Sequence, residues 1–142
     1  MKYPKPQSGM VLNYRYLWRT EAEQGKVEGL KDRPCALILA NQNTEGKTTV
    51  TVCPVTHSQP YNVDEAVEIP RLTKKRLGLD GERSWVIVNE VNQFTWPGYD
   101  IQPIPHNDEC IYGALPPKLF KQIKQCLSRI VRDKKIKFVD RD

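Results

Sequence analysis

Few side chains in this sequence can do chemistry near neutral pH. There are four cysteines, Cys35, Cys53, Cys110 and Cys126, and two histidines, His57 and His106, in 142 residues. No two cysteines form a Cys-x-x-Cys pair, and neither histidine stands at a spacing that zinc sites use. No metal or other cofactor is therefore expected. Cys35 and Cys53 fall inside apolar, strand-like runs, where a thiol is expected to be buried, reduced and inert, as suits a cytoplasmic protein. His57 stands apart: it closes the run Val52-Cys-Pro-Val-Thr-His57 at what reads as a strand end. An imidazole is the side chain whose ordinary titration lies near neutrality, so one placed there can act as acid or base.

The charge points to an anionic partner more by its distribution than by its size. The net charge is +5, yet residues 115–142 carry nine Lys/Arg against three Asp/Glu, while the preceding 114 residues are nearly balanced. A second basic cluster, Arg71, Lys74, Lys75 and Arg76, interrupts that balanced part. Both clusters suit RNA or an acidic partner, and both equally suit a solvated helix face and a fraying tail. No apolar run is long enough to cross a bilayer, and the opening residues MKYPKPQSG have no hydrophobic signal-peptide core.

These groups must be positioned by a mainly β domain spanning 1–142. Eleven prolines argue against an all-helical chain. Met10 to Trp18 reads as a first strand with Tyr14, Tyr16 and Trp18 on one face. Arg19 to Asp32 is polar, with Gly25 and Gly29, and reads as a long mobile loop. The runs CALILA and TTVTVCPVT, joined through Gly46, are expected to pair as the central antiparallel strands. Val63–Ile69 reads as an edge strand, Leu72–Leu79 as a short helical turn, SWVIVNEVNQF as a further strand, and Ile111–Tyr112 as a last short one. Leu119, Phe120, Ile123, Leu127, Ile130 and Val131 then recur at helical spacing, predicting a helix over 116–131 and a basic tail over 132–142. The expected fold is a compact antiparallel β-barrel of five to seven strands with a C-terminal helix against it.

Several of these segments together resemble the MazF/PemK toxin ribonucleases of bacterial toxin–antitoxin systems, in a longer PemK-like form. They are Gly9-Met-Val-Leu opening the first strand, Lys31-Asp-Arg-Pro34 leading into an apolar strand, Val52-Cys-Pro-Val-Thr-His57, and Ser84-Trp-Val-Ile-Val-Asn-Glu90. The resemblance implies an SH3-like barrel, a homodimer, and an active toxin that cuts single-stranded RNA without a metal until a cognate antitoxin blocks the RNA groove. It assigns Arg33 and Thr56 as catalytic, with the loop between the first two strands covering the site. Arg19, Lys26 and Lys31 on that loop, with Glu90 and Trp96 further on, become the RNA-binding candidates. The chain departs from the family where Gly29-Leu-Lys-Asp precedes Arg33 and where Glu90 stands in place of a frequent glutamine. Both bear on acid–base roles and base preference.

The implied chemistry suits these side chains. Attack by a ribose 2′-OH builds a crowded, negatively charged phosphorane, and a guanidinium stays charged while offering donors in a fixed fork. Thr56 can give one hydroxyl hydrogen bond to a phosphate oxygen, and His57 can move a proton, provided a bend lets strand neighbours reach one side. Against this, Arg33 could simply pair with Asp32 or a loop glutamate, Thr56 could serve its own backbone, and His57 could be an ordinary surface histidine. Trp96, in a Pro-Gly turn, is the aromatic best placed for base stacking. A gyrase-directed toxin of the same general fold and a catalytically silent RNA- or protein-binding barrel are the other readings. Homodimerisation is testable directly: light scattering at micromolar concentration should give twice the 16.4 kDa chain mass, and a concentration-independent monomer would refute it.

Overall fold

The computed structural model describes residues 1–133 and 135–142. Lys134, part of the expected basic tail, lies outside them. The strands are β1 (Met10–Tyr14), β2 (Arg33–Gln42), β3 (Thr48–Thr56), β4 (Ala66–Glu68), β5 (Trp85–Ile87), β6 (Glu90–Thr95), β7 (Ile111–Ala114) and β8 (Lys137–Asp140). The helices are α1 (Arg19–Glu23), α2 (Arg71–Arg76) and α3 (Pro117–Arg132).

β2 and β3 pair antiparallel as the sequence predicts, with Cys35 opposite Pro54 and Ala40 opposite Val50. A bulge between Leu37 and Leu39 shifts the register by one residue, so both Leu37 and Ile38 are buried while Leu39 emerges on the surface. The sheet runs β4-β5-β3-β2-β1-β7, and β6 also pairs with β3.

The expected closed barrel is not formed: the eight strands make an open sheet. The cause lies in β3, whose free edge is divided. Thr49–Val52 pair with β6, and Val55–Thr56 pair with β5. Cys53 and Pro54 fall between the two partners, and Pro54 has no N–H to offer a ladder there. The sheet therefore forks. The run SWVIVNEVNQF is correspondingly two strands, broken at Val88–Asn89.

Each face carries its own core. On one side Ala36, Cys53, Val55, Val86 and Val88 meet the α3 stripe Leu119, Ile123, Cys126 and Ile130. Pro117 occupies the first helical turn, where a missing N–H is harmless. Cys126 joins the buried stripe although it is not among the residues whose spacing predicts it, and Val131, which is among them, is exposed. On the other side Leu12, Tyr14, Tyr16, Leu37, Val52 and Phe94 pack together, with Tyr14 stacked on Phe94 at 4.7 Å between centroids. The aromatic first strand is thus covered by its own chain.

Two segments differ from expectation. The polar stretch after Trp18 is organised rather than loose: Glu21 Oε1 accepts from the Trp18 N–H at α1, and Gly29 packs on the Tyr16 carbonyl, where a Cβ would stand 2.1 Å from the oxygen. The basic tail is also no fraying end. Residues 137–140 form β8, parallel to β6, with Val139 opposite Asn92. Arg141 follows, its side chain 3% exposed, with its guanidinium 2.5 Å from Asp100 Oδ2. It also donates to Tyr14 Oη, the Arg15 carbonyl and Asn92 Oδ1. Asn92, fully buried, exchanges hydrogen bonds with both backbone groups of Leu17. Arg141 therefore ties β8 to β1 and β6 through charge-assisted bonds that removal would leave unpaired. Arg141→Ala should lower unfolding free energy by about 3–5 kcal/mol in urea denaturation, as when one member of a buried pair is lost. A change below about 1 kcal/mol would be the value of a surface pair instead.

Candidate active site

The β2–β3 register, carried two residues past Cys35–Pro54, sets Arg33 across from Thr56. Both lie on the sheet face that carries Cys35, Leu37 and Val52. They stand where two clefts adjoin. The first, about 340 Å³, is lined by Arg33, Thr56, His57, Lys74, Asp80 and Tyr112, among others. The second, about 590 Å³, shares Lys31, Arg33 and Thr56 and adds Trp18, Tyr61 and Glu90.

Arg33 is held without being neutralised. Its guanidinium lies over the Trp18 ring, 5.0 Å from the centroid, and Nη1 reaches the Val55 carbonyl at 3.4 Å. Its Nε is buried with no hydrogen-bond partner, and among the described residues no carboxylate pairs with it. Asp32, the neighbour that could have done so, instead takes Arg15 at 2.9 Å. Burial pushes the Arg33 guanidinium below its ordinary pKa, with only partial compensation from Cys35, Glu21 and Tyr16. A charged fork with free donors and no counter-ion is a site for an anion.

Thr56 Oγ1 accepts from the Ser58 N–H at 3.1 Å, a turn that leaves its own hydroxyl proton available. That turn is the bend at the strand end, and it lets His57 line the first cleft beside Thr56. His57 is half exposed, with Nε2 2.7 Å from Asp80 Oδ2 and Nδ1 3.3 Å from Glu82 Oε2. Nothing in the sequence around His57 points to these acidic partners. They come from the turn before β5, more than twenty residues away, and only the α2–β5 connection brings them in. His57, Asp80 and Glu82 approach closely enough to share one cation. However, the Lys74 ammonium already takes Asp80 Oδ1 at 2.6 Å, so the donor set is poor for a metal.

Lys74 is itself a revision. Of the basic cluster at 71–76, Arg71, Lys75 and Arg76 are exposed, but Lys74 is buried and donates to Asp80, Ser84 Oγ and the Glu82 carbonyl. Partial burial alone would raise the Asp80 carboxyl. Hydrogen bonds from Lys74 and the Glu82 N–H, with the Lys74 and His57 charges, outweigh it and hold Asp80 below the ordinary carboxylate value.

The RNA-binding candidates scatter. Lys31 is exposed at the junction of both clefts. Arg19 pairs with Glu23 at 2.9 Å and borders a neighbouring hollow, and Lys26 is exposed beyond α1. Glu90 borders the second cleft but is largely buried, accepting from Tyr16 Oη at 3.0 Å and the Arg19 N–H at 3.1 Å. Trp96 is not with the others. It follows β6 at the Thr48 end of β3, about 25 Å of strand from Thr56, and packs against Phe94 and Tyr3. Tyr61, fully exposed beside Arg33's second cleft, was overlooked because nothing in its Pro60–Asn62 surroundings distinguishes it from any turn residue.

The family of PemK-like, MazF-like toxins of type II toxin–antitoxin systems matches residues 17–131. The chain belongs to this family. No curated protein matches it. Membership of the toxin family implies an antitoxin partner, and among the described residues no helix is long and apolar enough to cross a membrane. The matched span takes in the first cleft, all of the second but Lys137, and α3 up to Val131; it stops before β8, so the Arg141 anchor lies outside the part shared with the family.

The buried Glu90 carboxyl carries a measurable consequence. Burial pushes its carboxyl above the ordinary value of 4.5, although the Arg19 N–H, the Tyr16 hydroxyl and the charges of Lys137 and Arg19 draw it back. With the folded pKa above the unfolded one, ionisation costs native stability once pH rises past the unfolded value, and the full cost applies above the folded value. Glu90→Gln keeps the acceptor and removes the charge. It should raise Tm at pH 7, with the gain disappearing as pH falls toward 4.5. A difference that does not change with pH would contradict this assignment.

Proposed function

We propose that this toxin is an endoribonuclease that cleaves single-stranded RNA through its own side chains, with no metal, acts as a homodimer, and is neutralised by its antitoxin. The observation that carries this reading is Arg33: a half-buried guanidinium with an unpartnered Nε and, among the described residues, no carboxylate partner, across the strand pair from Thr56. Toxins of the family are known endoribonucleases, and the chemistry fits the residues at the cleft junction. Arg33 would bind the non-bridging phosphate oxygens as negative charge builds on them. Thr56 would add one hydroxyl donor, and Lys31 would attract the backbone by charge alone. His57, in the same cleft, is the proton-transferring group. Tyr61 and Trp18 offer ring faces to unstacked bases near the scissile bond.

The purified protein should cut single-stranded RNA in excess EDTA, giving a cyclic phosphate and a 5′-hydroxyl, and should spare DNA, which lacks the attacking 2′-OH. Under single-turnover conditions Arg33→Ala should slow cleavage about a hundredfold or more, the scale of a lost oxyanion donor. Thr56→Ala should slow it about tenfold, in keeping with one neutral hydrogen bond. Unchanged cleavage by folded R33A would remove the proposed site. A wild-type protein that cut no RNA of varied sequence yet still arrested growth would point to a protein target such as gyrase.

A further inference from the structure

The cleft holds a cation whose job is not to meet RNA. Lys74 has a side chain only 5% exposed, and its three ammonium protons have three acceptors: Asp80 Oδ1 at 2.6 Å, Ser84 Oγ at 2.7 Å and the Glu82 carbonyl. An ammonium is removed from water only when such partners replace it. The same Asp80 oxygen also accepts the Glu82 N–H at 3.1 Å. One side of the Asp80 carboxylate is thus fixed from α2 and from its own turn. Its other oxygen, Oδ2, lies 2.7 Å from His57 Nε2. The two contacts of the imidazole are unequal. The Nδ1 contact is longer, 3.3 Å, and its carboxylate, Glu82, is 72% exposed against 49% for Asp80. Glu82 is thus the looser of the two partners.

We propose that Lys74 and Asp80 are positioning residues that grip His57 through Nε2, leaving Nδ1 as the nitrogen that delivers a proton to the leaving 5′-oxygen during RNA cleavage. The inference rests on the endoribonuclease reading and adds the identity of the acid and of the residues that hold it. In the step, the ribose 2′-OH gives its proton to solvent hydroxide and the O2′–P bond forms. The P–O5′ bond breaks, and O5′ takes the proton from Nδ1 of the imidazolium. The products are a 2′,3′-cyclic phosphate and a 5′-hydroxyl, and neutral His57 regains its proton from water. The Asp80 carboxylate balances the imidazolium before transfer, and Arg33 in the same cleft balances the phosphorane. The charged and titratable groups around His57 are Asp80 and Glu82 from the turn before β5, Lys74 from α2, Lys31, Asp32 and Arg33 from the start of β2, and Tyr112 from β7.

The test pairs two RNA substrates of one sequence, one with the natural 5′-oxygen at the scissile bond and one with a bridging 5′-sulfur. A thiolate leaves without help from an acid, so a lost acid is not felt on the second substrate. On the oxygen substrate His57→Ala should lower kcat about a hundredfold and Asp80→Asn about tenfold, with KM within about twofold. Asp80→Glu should recover part of the loss. On the sulfur substrate both H57A and D80N should cut at near the wild-type rate, whereas R33A should stay slow on both. The 15N spectrum of the protein without RNA gives a readout independent of cleavage. With only two histidines in the chain, H57A identifies the His57 signals, which should report the Nε2–H tautomer in the wild type and a mixture in D80N. D80N carries the test because Asp80 is half exposed and asparagine keeps an oxygen acceptor for Lys74; its melting temperature is measured alongside, since the Lys74 ammonium loses its counter-charge. Lys74→Met, at a buried site, should match D80N if it folds. D80N cleaving the oxygen substrate like wild type, an equal defect on both substrates, or His57 15N signals unchanged in D80N would each overturn the proposal. A wild type that cuts neither substrate would instead overturn the endoribonuclease reading, while the 15N result would still report on the grip.

Discussion

The register of β2 on β3 is the constraint on which the site depends. With Cys35 facing Pro54, the first residue of β2 and the last of β3 come together at one end of the strand pair. Slipping that register by one residue would turn Arg33 and Thr56 to opposite faces, because side chains in a strand alternate with a period of two. Burial on both faces is what holds it. Ala36 and Cys53 are locked into the core under α3, and Leu37 and Val52 into the aromatic core behind it. Neither set can be moved across the sheet without exposing the other.

The same strand pair explains why the sheet stays open. β3 gives the Thr49–Val52 part of its free edge to β6 and Val55–Thr56 to β5, with Pro54 at the change of partner. The turn leading into β5 comes down beside the end of β3, and it is this turn that carries Asp80 and Glu82 to His57. An uninterrupted β5–β6 strand, as the run SWVIVNEVNQF suggests, would leave no reason for that turn to approach the cleft. The fork and the site are one feature.

Three cations are drawn into this molecule, and their different treatment separates structure from chemistry. Arg141 meets Asp100 and four neutral acceptors, the Val27 carbonyl among them, and Lys74 meets Asp80 and two. Each is neutralised and each secures a segment, β8 in one case and the α2–β5 turn in the other. Arg33 has a tryptophan face, one long bond to a carbonyl and an orphaned Nε. Burial without a counter-charge costs stability, which a bound phosphate would offset.

By itself the sequence determined what local periodicity and residue chemistry can determine. Short apolar runs of strand length marked β2 and β3 and their hairpin, helical spacing marked α3 to within a residue, and the order of short motifs around Arg33 and Thr56 marked the toxin family. Tertiary structure decided everything that joins residues far apart in the chain. Lys74 read as one charge in a surface cluster, and only the fold around α2 turned it inward onto Asp80. Residues 137–141 read as a basic tail, because a short strand with lysines shows little pattern until β6 offers it an edge and Asp100 offers Arg141 a partner. Trp96 looked exposed in its turn and instead packs on Phe94 and Tyr3. Closure of the sheet was equally hidden, since strand count is a local property while the partner of an edge is set by which chain segment reaches it first with matching hydrogen bonds and apolar surface.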